Sequence, residues 1–154
     1  MENEQQGPAP VAEPSDVATA APSDYVATAS FDELGISEPV RRAIAERGYT
    51  KPTPVQAATF KPVRAGKDVI VRSKTGTGKT AAFTLPLLQR LLKHENSSAS
   101  PARHPVRALV LLPTRELAVQ VAQQIAQYAK YTKLRSTVVF GGMDMKPQTL
   151  ELKK

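Results

Sequence analysis

Between a short β-branched run, Asp68-Val69-Ile70-Val71-Arg72, and a stretch patterned as a helix from Thr80 onward lies Ser73-Lys74-Thr75-Gly76-Thr77-Gly78-Lys79-Thr80. A strand that turns through glycines directly into a helix leaves few folds open. Glycine at 76 and 78 lets backbone N–H groups converge on one point, and the positive end of the helix dipole is aimed at the same place. Such a turn holds an anion. Lys79 adds a charge suited to β- and γ-phosphates, and the Thr80 hydroxyl can ligate Mg²⁺. The arrangement is that of a P-loop, except that its first position is Ser73 where glycine is usual. A plain Gly/Thr-rich connector is the alternative, but the strand-to-helix junction is where the phosphate chemistry requires these residues. The sequence therefore predicts a nucleoside triphosphate site lined by Ser73 through Thr80, with Lys79 and Thr80 carrying the chemistry.

The surrounding pattern alternates helix and strand. Ser37 can cap a helix through Val40, Ile44 and Arg47 that Gly48 stops, and Thr53-Pro54 opens a second through Phe60. Thr80 to Lys93 has Leu85, Leu88 and Leu92 on one face, although Pro86 should kink it or cost a backbone hydrogen bond. Residues 96–101 form a Ser-rich loop, 108–112 an apolar strand, 115–131 a helix that is amphipathic over Val119 to Gln127, and 137–140 a third strand. Three strands separated by helices predict an α/β fold with a parallel sheet of right-handed βαβ units.

Composition narrows the function classes. The 154 residues include no Cys, which excludes disulfides, thiolate nucleophiles and Cys-ligated metals. His94 and His104 flank the Ser-rich loop and are expected in solvent, and two isolated histidines make no metal cluster. No apolar stretch reaches membrane-spanning length, and the first residues have neither a basic nor an apolar export region, so a cytoplasmic setting without membrane contact is expected. Residues 1–30 hold five acids, four prolines and no Lys or Arg, the composition of a disordered tail. Residues 31–154 then carry 21 basic against nine acidic side chains. That surplus favours a polyanionic partner such as nucleic acid, with plain solubility charge as the alternative.

A second cluster addresses the base. Gln56 stands in the first turn of a helix behind Pro52 and Pro54, with Phe31 upstream. Its amide can pair with adenine N7 and the N6 amino group, and Phe31 can stack on a purine, whereas guanine mismatches at O6. Without further information, a helix-terminal Gln and a core Phe explain the same residues. Pro113-Thr114-Arg115 places a hydroxyl, a guanidinium and helix-terminal N–H groups together, which suits a phosphate, although Arg115-Glu116 also reads as a cap or a solvated ion pair. Gly141-Gly142 after Phe140 is, on its own, a strand-to-helix turn.

Taken together, these segments resemble the DEAD-box RNA helicases, most nearly the bacterial members. Phe31 with Gly48-Tyr49-Thr50-Lys51-Pro52-Thr53-Pro54-Val55-Gln56 is similar to that family's Q motif, which spans about 29–57. Ser73 to Thr80 is similar to motif I, Pro113-Thr114-Arg115-Glu116-Leu117-Ala118-Val119-Gln120 to motif Ia, and Gly141-Gly142 to the glycine doublet. The resemblance covers 31–154 and implies the amino-terminal part of a RecA-like domain, incomplete at this length, following the tail. It implies ATP and Mg²⁺ as cofactors, Phe31 and Gln56 at the adenine, RNA as partner, and backbone contacts from Pro113, Thr114, Arg115, Gly141 and Gly142. The implied activity is ATP-driven RNA binding and local duplex unwinding. No Asp-Glu-Ala-Asp stretch follows the doublet in these residues, so the 154-residue chain alone is expected to bind rather than turn over, a non-catalytic nucleotide- and RNA-binding module being the alternative.

Overall fold

A computed structural model of the chain describes residues 29–95 and 105–153. The described chain enters through a turn that folds Phe31, Leu34 and Ile36 into the core. Ser30 Oγ accepts the Glu33 N–H at 3.2 Å and Asp32 O accepts the Gly35 N–H at 3.0 Å, so Ser30 is tied to the turn. The tail expected over 1–30 otherwise lies outside the described residues, apart from Ala29.

Five α-helices follow: α1 (Glu38–Glu46), α2 (Pro54–Arg64), α3 (Lys79–Leu91), α4 (Arg115–Tyr128) and α5 (Met145–Lys153), with a 3-10 turn at Leu92–His94 closing α3. Ser37 stands at the N-cap of α1 as expected, but its hydroxyl makes no cap and is buried without a partner. Its N–H instead donates to Gln89 Oε1 of α3 at 2.8 Å, so the start of α1 is fastened to a distant helix. Gly48 ends the segment at φ +75°, a conformation that glycine adopts without Cβ strain, and its N–H donates to Ala45 O at 2.9 Å.

Pro86 neither ends nor visibly interrupts α3, and the reason lies in α2. A proline at 86 cannot donate to the carbonyl four residues back, which is that of Ala82. The Thr59 hydroxyl sits 2.9 Å from Ala82 O, with Thr59 and Ala82 both buried. Val55 O, also within reach of that hydroxyl at 2.8 Å, already serves the α2 ladder, so Ala82 O is the acceptor that otherwise lacks a partner. Thr59 therefore offsets the bond that Pro86 removes, at the centre of the α2–α3 packing.

The core gathers Phe31, Leu34, Ile36, Val40, Ile44, Phe60, Leu85, Leu88 and Tyr128, with Ile125 and Leu134 packed at its margin. It is a helix-on-helix core built on the apolar faces of α1, α2, α3 and the end of α4. No described helix is long and apolar enough to cross a membrane.

The expected parallel sheet is not formed among the described residues. The segments read as strands at 68–72, 108–112 and 137–140 do not form strands, and Ile70, Leu109 and Leu111 are 89%, 75% and 82% exposed. A strand exists only when a neighbour completes its backbone ladder, and the partners are set by contacts remote in sequence. An apolar β-branched run states a need for burial without naming what meets it. The interval 96–101, expected as a loop, lies outside the described residues, as does His104; His94 is exposed.

Candidate functional site

The Gly-rich turn leads straight into α3, whose N-cap is Gly78 at φ +84°, with Gly76 at φ +81°. Both conformations are left-handed, so the alternation of glycines is a backbone requirement of the turn. A Cβ on Gly76 would meet nothing within 4 Å, and the hollow of the turn is open on that side. The walls are braced internally: Thr77 Oγ1 donates to Lys74 O and shares a second hydrogen bond with Ser73 Oγ, both at 2.7 Å. Ser73, the departure from the usual glycine, therefore has a structural use. Lys79 folds back across the loop and donates from Nζ to Ser73 O at 2.5 Å. Its ammonium is thereby held over the turn, where only a neutral carbonyl opposes it. Thr80 follows in the first turn of α3. Open space above a positive-φ turn, helix-terminal N–H groups and a cation at the mouth fit a phosphate chain.

Gln56 is brought against this loop. Thr53 and Gln56 form a reciprocal capping box at the start of α2: Thr53 N donates to Gln56 Oε1 at 3.1 Å, and Gln56 N to Thr53 Oγ1 at 3.5 Å. Gln56 Nε2 then donates to Gly78 O at 3.2 Å. The approach is so close that a Cβ on Gly78 would lie 2.3 Å from Gln56 Nε2. Gly78 is thus required twice, by its φ and by the amide beside it. The Gln56 amide keeps one N–H and one acceptor lone pair uncommitted, which is what a bidentate purine contact uses.

Phe31 is 7% exposed and belongs to the apolar core cluster, the alternative that its sequence context leaves open beside stacking on a base. Its hydrophobic area is the reason, since the turn at Ser30 to Gly35 carries it inward with Leu34 and Ile36.

The second set of predicted residues also converges. Thr114 caps α4 by accepting the Leu117 N–H at 3.3 Å, Arg115 is the first residue of that helix, and Pro113 precedes them, all three exposed. Gly142, at φ +78°, lies beneath Arg115: a Cβ there would be 2.4 Å from Arg115 Nη2. The structure thus joins Arg115 to one member of the doublet, while Gly141 borders open space. Arg115 is packed on Gly142 rather than simply capping its own helix.

Three residues outside the expected set support these sites. Thr53 was legible, since Thr-x-x-Gln ahead of an apolar helix is the capping-box pattern. Thr59 and Gln148 carried no local signal, because their partners, Ala82 O and the Phe140 backbone, are known only once the chain is folded.

Residues 53–154 match the family model described as DEAD/DEAH box helicase. The chain is 40% identical over 125 residues to the DEAD-box ATP-dependent RNA helicase RhpA of Helicobacter pylori, covering 81% of this chain and 24% of that one. It is 45% identical to DEAD-box ATP-dependent RNA helicase 28 of Oryza sativa, covering 80% of this chain and 15% of the relative. Among solved structures, it resembles the RNA helicase Prp28 from Chaetomium thermophilum bound to ADP, with TM-score 0.65 and 33% identity over 80% of this chain and 29% of that one. A hypothetical ATP-dependent RNA helicase from Sulfolobus tokodaii gives TM-score 0.61 and 36% identity, covering 76% of this chain and 31% of that one. The chain therefore spans a quarter or less of the length of these curated relatives.

Proposed function

The chain belongs to the DEAD/DEAH box helicase family, and from that premise we propose that it supplies the nucleotide-binding part and one RNA-backbone surface of an ATP-dependent RNA helicase. The observation that carries the reading is the junction at Gly78, where a positive-φ phosphate turn, the start of α3 and the Gln56 amide meet. Gly76, Gly78 and the neighbouring N–H groups cradle the phosphates, with Ser73, Lys74, Thr75 and Thr77 shaping the wall. Lys79 exchanges Ser73 O for the terminal phosphates, a charge-assisted contact stronger than the one it gives up. The Thr80 hydroxyl holds Mg²⁺. ATP with Mg²⁺ supplies, when bound, the free energy of phosphoanhydride cleavage. Gln56 reads adenine with its remaining donor and acceptor, in an orientation set beforehand by Thr53 and Gly78.

Pro113, Thr114, Arg115, Gly141 and Gly142 grip the sugar-phosphate backbone of RNA, through a guanidinium, a hydroxyl and backbone N–H groups that carry no base information. In the assembled RecA-like domain the segments at 68–72, 108–112 and 137–140 pair as a parallel sheet, which would cover their exposed apolar side chains. A cytoplasmic setting accords with this chemistry.

Replacing Lys79 by alanine in the protein expressed from its complete reading frame tests the reading. It removes the positive side chain held over the turn, so ATP affinity should fall about ten- to a hundredfold and RNA-stimulated hydrolysis should vanish. Unaltered steady-state ATPase would overturn the assignment.

A further inference from the structure

A glycine doublet has no side chains with which to hold itself in place, so the backbone around it must be anchored by something else. Phe140, immediately before the doublet, has both its peptide groups held by one side chain. Its N–H donates to Gln148 Oε1 at 2.9 Å, and Gln148 Nε2 donates to Phe140 O at 3.2 Å. The amide acts as a neighbouring strand would, closing a two-bond rung on a segment that has no strand partner among the described residues. The same Nε2 reaches Asp144 O at 3.2 Å, and Asp144 Oδ1 accepts the Lys146 N–H at 3.0 Å at the start of α5. Gln148 is also the least exposed residue of α5. The helix is therefore fastened to the preceding segment by a side-chain amide and not by an apolar face.

On its other side the doublet abuts Arg115, whose guanidinium lies over Gly142: a Cβ there would be 2.4 Å from Arg115 Nη2. We infer that Gln148 is a positioning residue for RNA binding, which locks the Phe140 peptide so that Gly141-Gly142 and the Arg115 guanidinium present one pre-organised anion-binding surface. The inference rests on the reading that Arg115 and the doublet contact the RNA backbone. Gln148 acts through Arg115 and the doublet and not by touching RNA.

The test is a double-mutant cycle in the protein from its complete reading frame, with a uridine homopolymer and an unrelated single strand as probes. Gln148→Ala should weaken binding of both strands about three- to tenfold, the size expected for a lost pair of neutral hydrogen bonds, while ATP affinity stays as in wild type. In an Arg115→Ala background the further loss should shrink below about twofold, because the group being positioned is gone. Gln148→Glu keeps the shape and the acceptor but turns a carboxylate toward the Phe140 and Asp144 carbonyls, so it should behave like the alanine variant. Amide hydrogen exchange at Phe140 should accelerate in both variants, which reads the anchoring directly even where stability changes. Wild-type exchange at Phe140, a silent Gln148→Ala, or a full Gln148→Ala loss persisting without Arg115 would each overturn the positioning role. If Arg115→Ala alone leaves RNA affinity unchanged, the RNA-surface reading fails instead, so the two failures are distinguishable.

Discussion

At the scale of single residues, Gln56 shows how one side chain acquires two duties. Its Oε1 closes the α2 cap and its Nε2 braces Gly78 O, so truncation removes two structural hydrogen bonds besides the proposed contact to a base. Gln56→Ala should lower ATP affinity about tenfold and GTP affinity only about two- to threefold, the smaller loss reporting the loosened loop and the excess reporting adenine pairing. Equal losses, read by equilibrium titration of both nucleotides, would reduce Gln56 to its structural duty. Thr59 makes a different prediction, of stability and not binding. Thr59→Val strips Ala82 O of its partner and should cost about 1–3 kcal/mol, the penalty of an unsatisfied buried carbonyl. Adding Pro86→Ala restores an N–H four residues along the helix and should recover much of that loss. Denaturant midpoints of the two single variants and the double would check the cycle, and strict additivity would refute the pairing.

Among the elements, α1 and α4 are joined by contacts that sit outside the core. Lys130 Nζ donates to Glu46 Oε2 at 2.7 Å, and the Tyr131 hydroxyl donates to the other oxygen of that carboxylate. Arg42 stacks over the Tyr131 ring at 4.0 Å, and Arg47 lies over Tyr128 at 5.3 Å. The hydrogen bond from Lys130, and then that from Tyr131, holds the Glu46 carboxyl below the ordinary carboxylate range. A depressed carboxyl contributes stability above its unfolded value, and that contribution is lost as pH falls through the lower folded value. The wild-type chain should therefore loosen at the α1–α4 join on acidification below about pH 4. Glu46→Gln should flatten that acid limb while changing little near neutrality, where the pair is exposed and screened. Melting temperatures across the acid range decide it, and an acid limb unchanged in the variant would disprove the link. Pattern and caps made α1 to α4 legible: Thr53 and Thr114 stand at helix starts that the sequence indicated, and α3 begins at Lys79, one residue before the expected Thr80, whereas α5 was not expected. Helix bonds run four residues apart, so the information that specifies them is local.

At the scale of the whole molecule, the apolar surface is the dominant unresolved demand. Leu109 and Leu111 flank the less exposed Val110 along one segment, and Ile70, at 89%, lies between the less exposed Val69 and Val71 on another. Extended segments with bare backbone groups and apolar side chains template pairing with other chains. These 154 residues, expressed by themselves, should self-associate with increasing concentration. Leu109→Lys with Leu111→Lys should shift the distribution toward monomer, read by sedimentation velocity; a wild-type chain that stays monomeric throughout the accessible range would contradict this.

Sequence by itself determined the backbone demanded of the Gly-rich turn and the identity of the residues around it. Glycines at 76 and 78, a lysine and a threonine at a helix start are local requirements of an anion-binding backbone, legible without a fold. Tertiary structure alone decided where Phe31, Arg115, Gln148 and Thr59 act. Phe31 went into the core because a turn carries it inward, and Arg115 came to rest on Gly142 because two segments remote in sequence were packed together. Thr59 and Gln148 gained their partners only when Ala82 O and the Phe140 peptide were brought within about 3 Å. The division has one physical reason: backbone conformation and capping are set within a turn of chain, whereas burial and long-range hydrogen bonding depend on which surfaces the folded chain brings together.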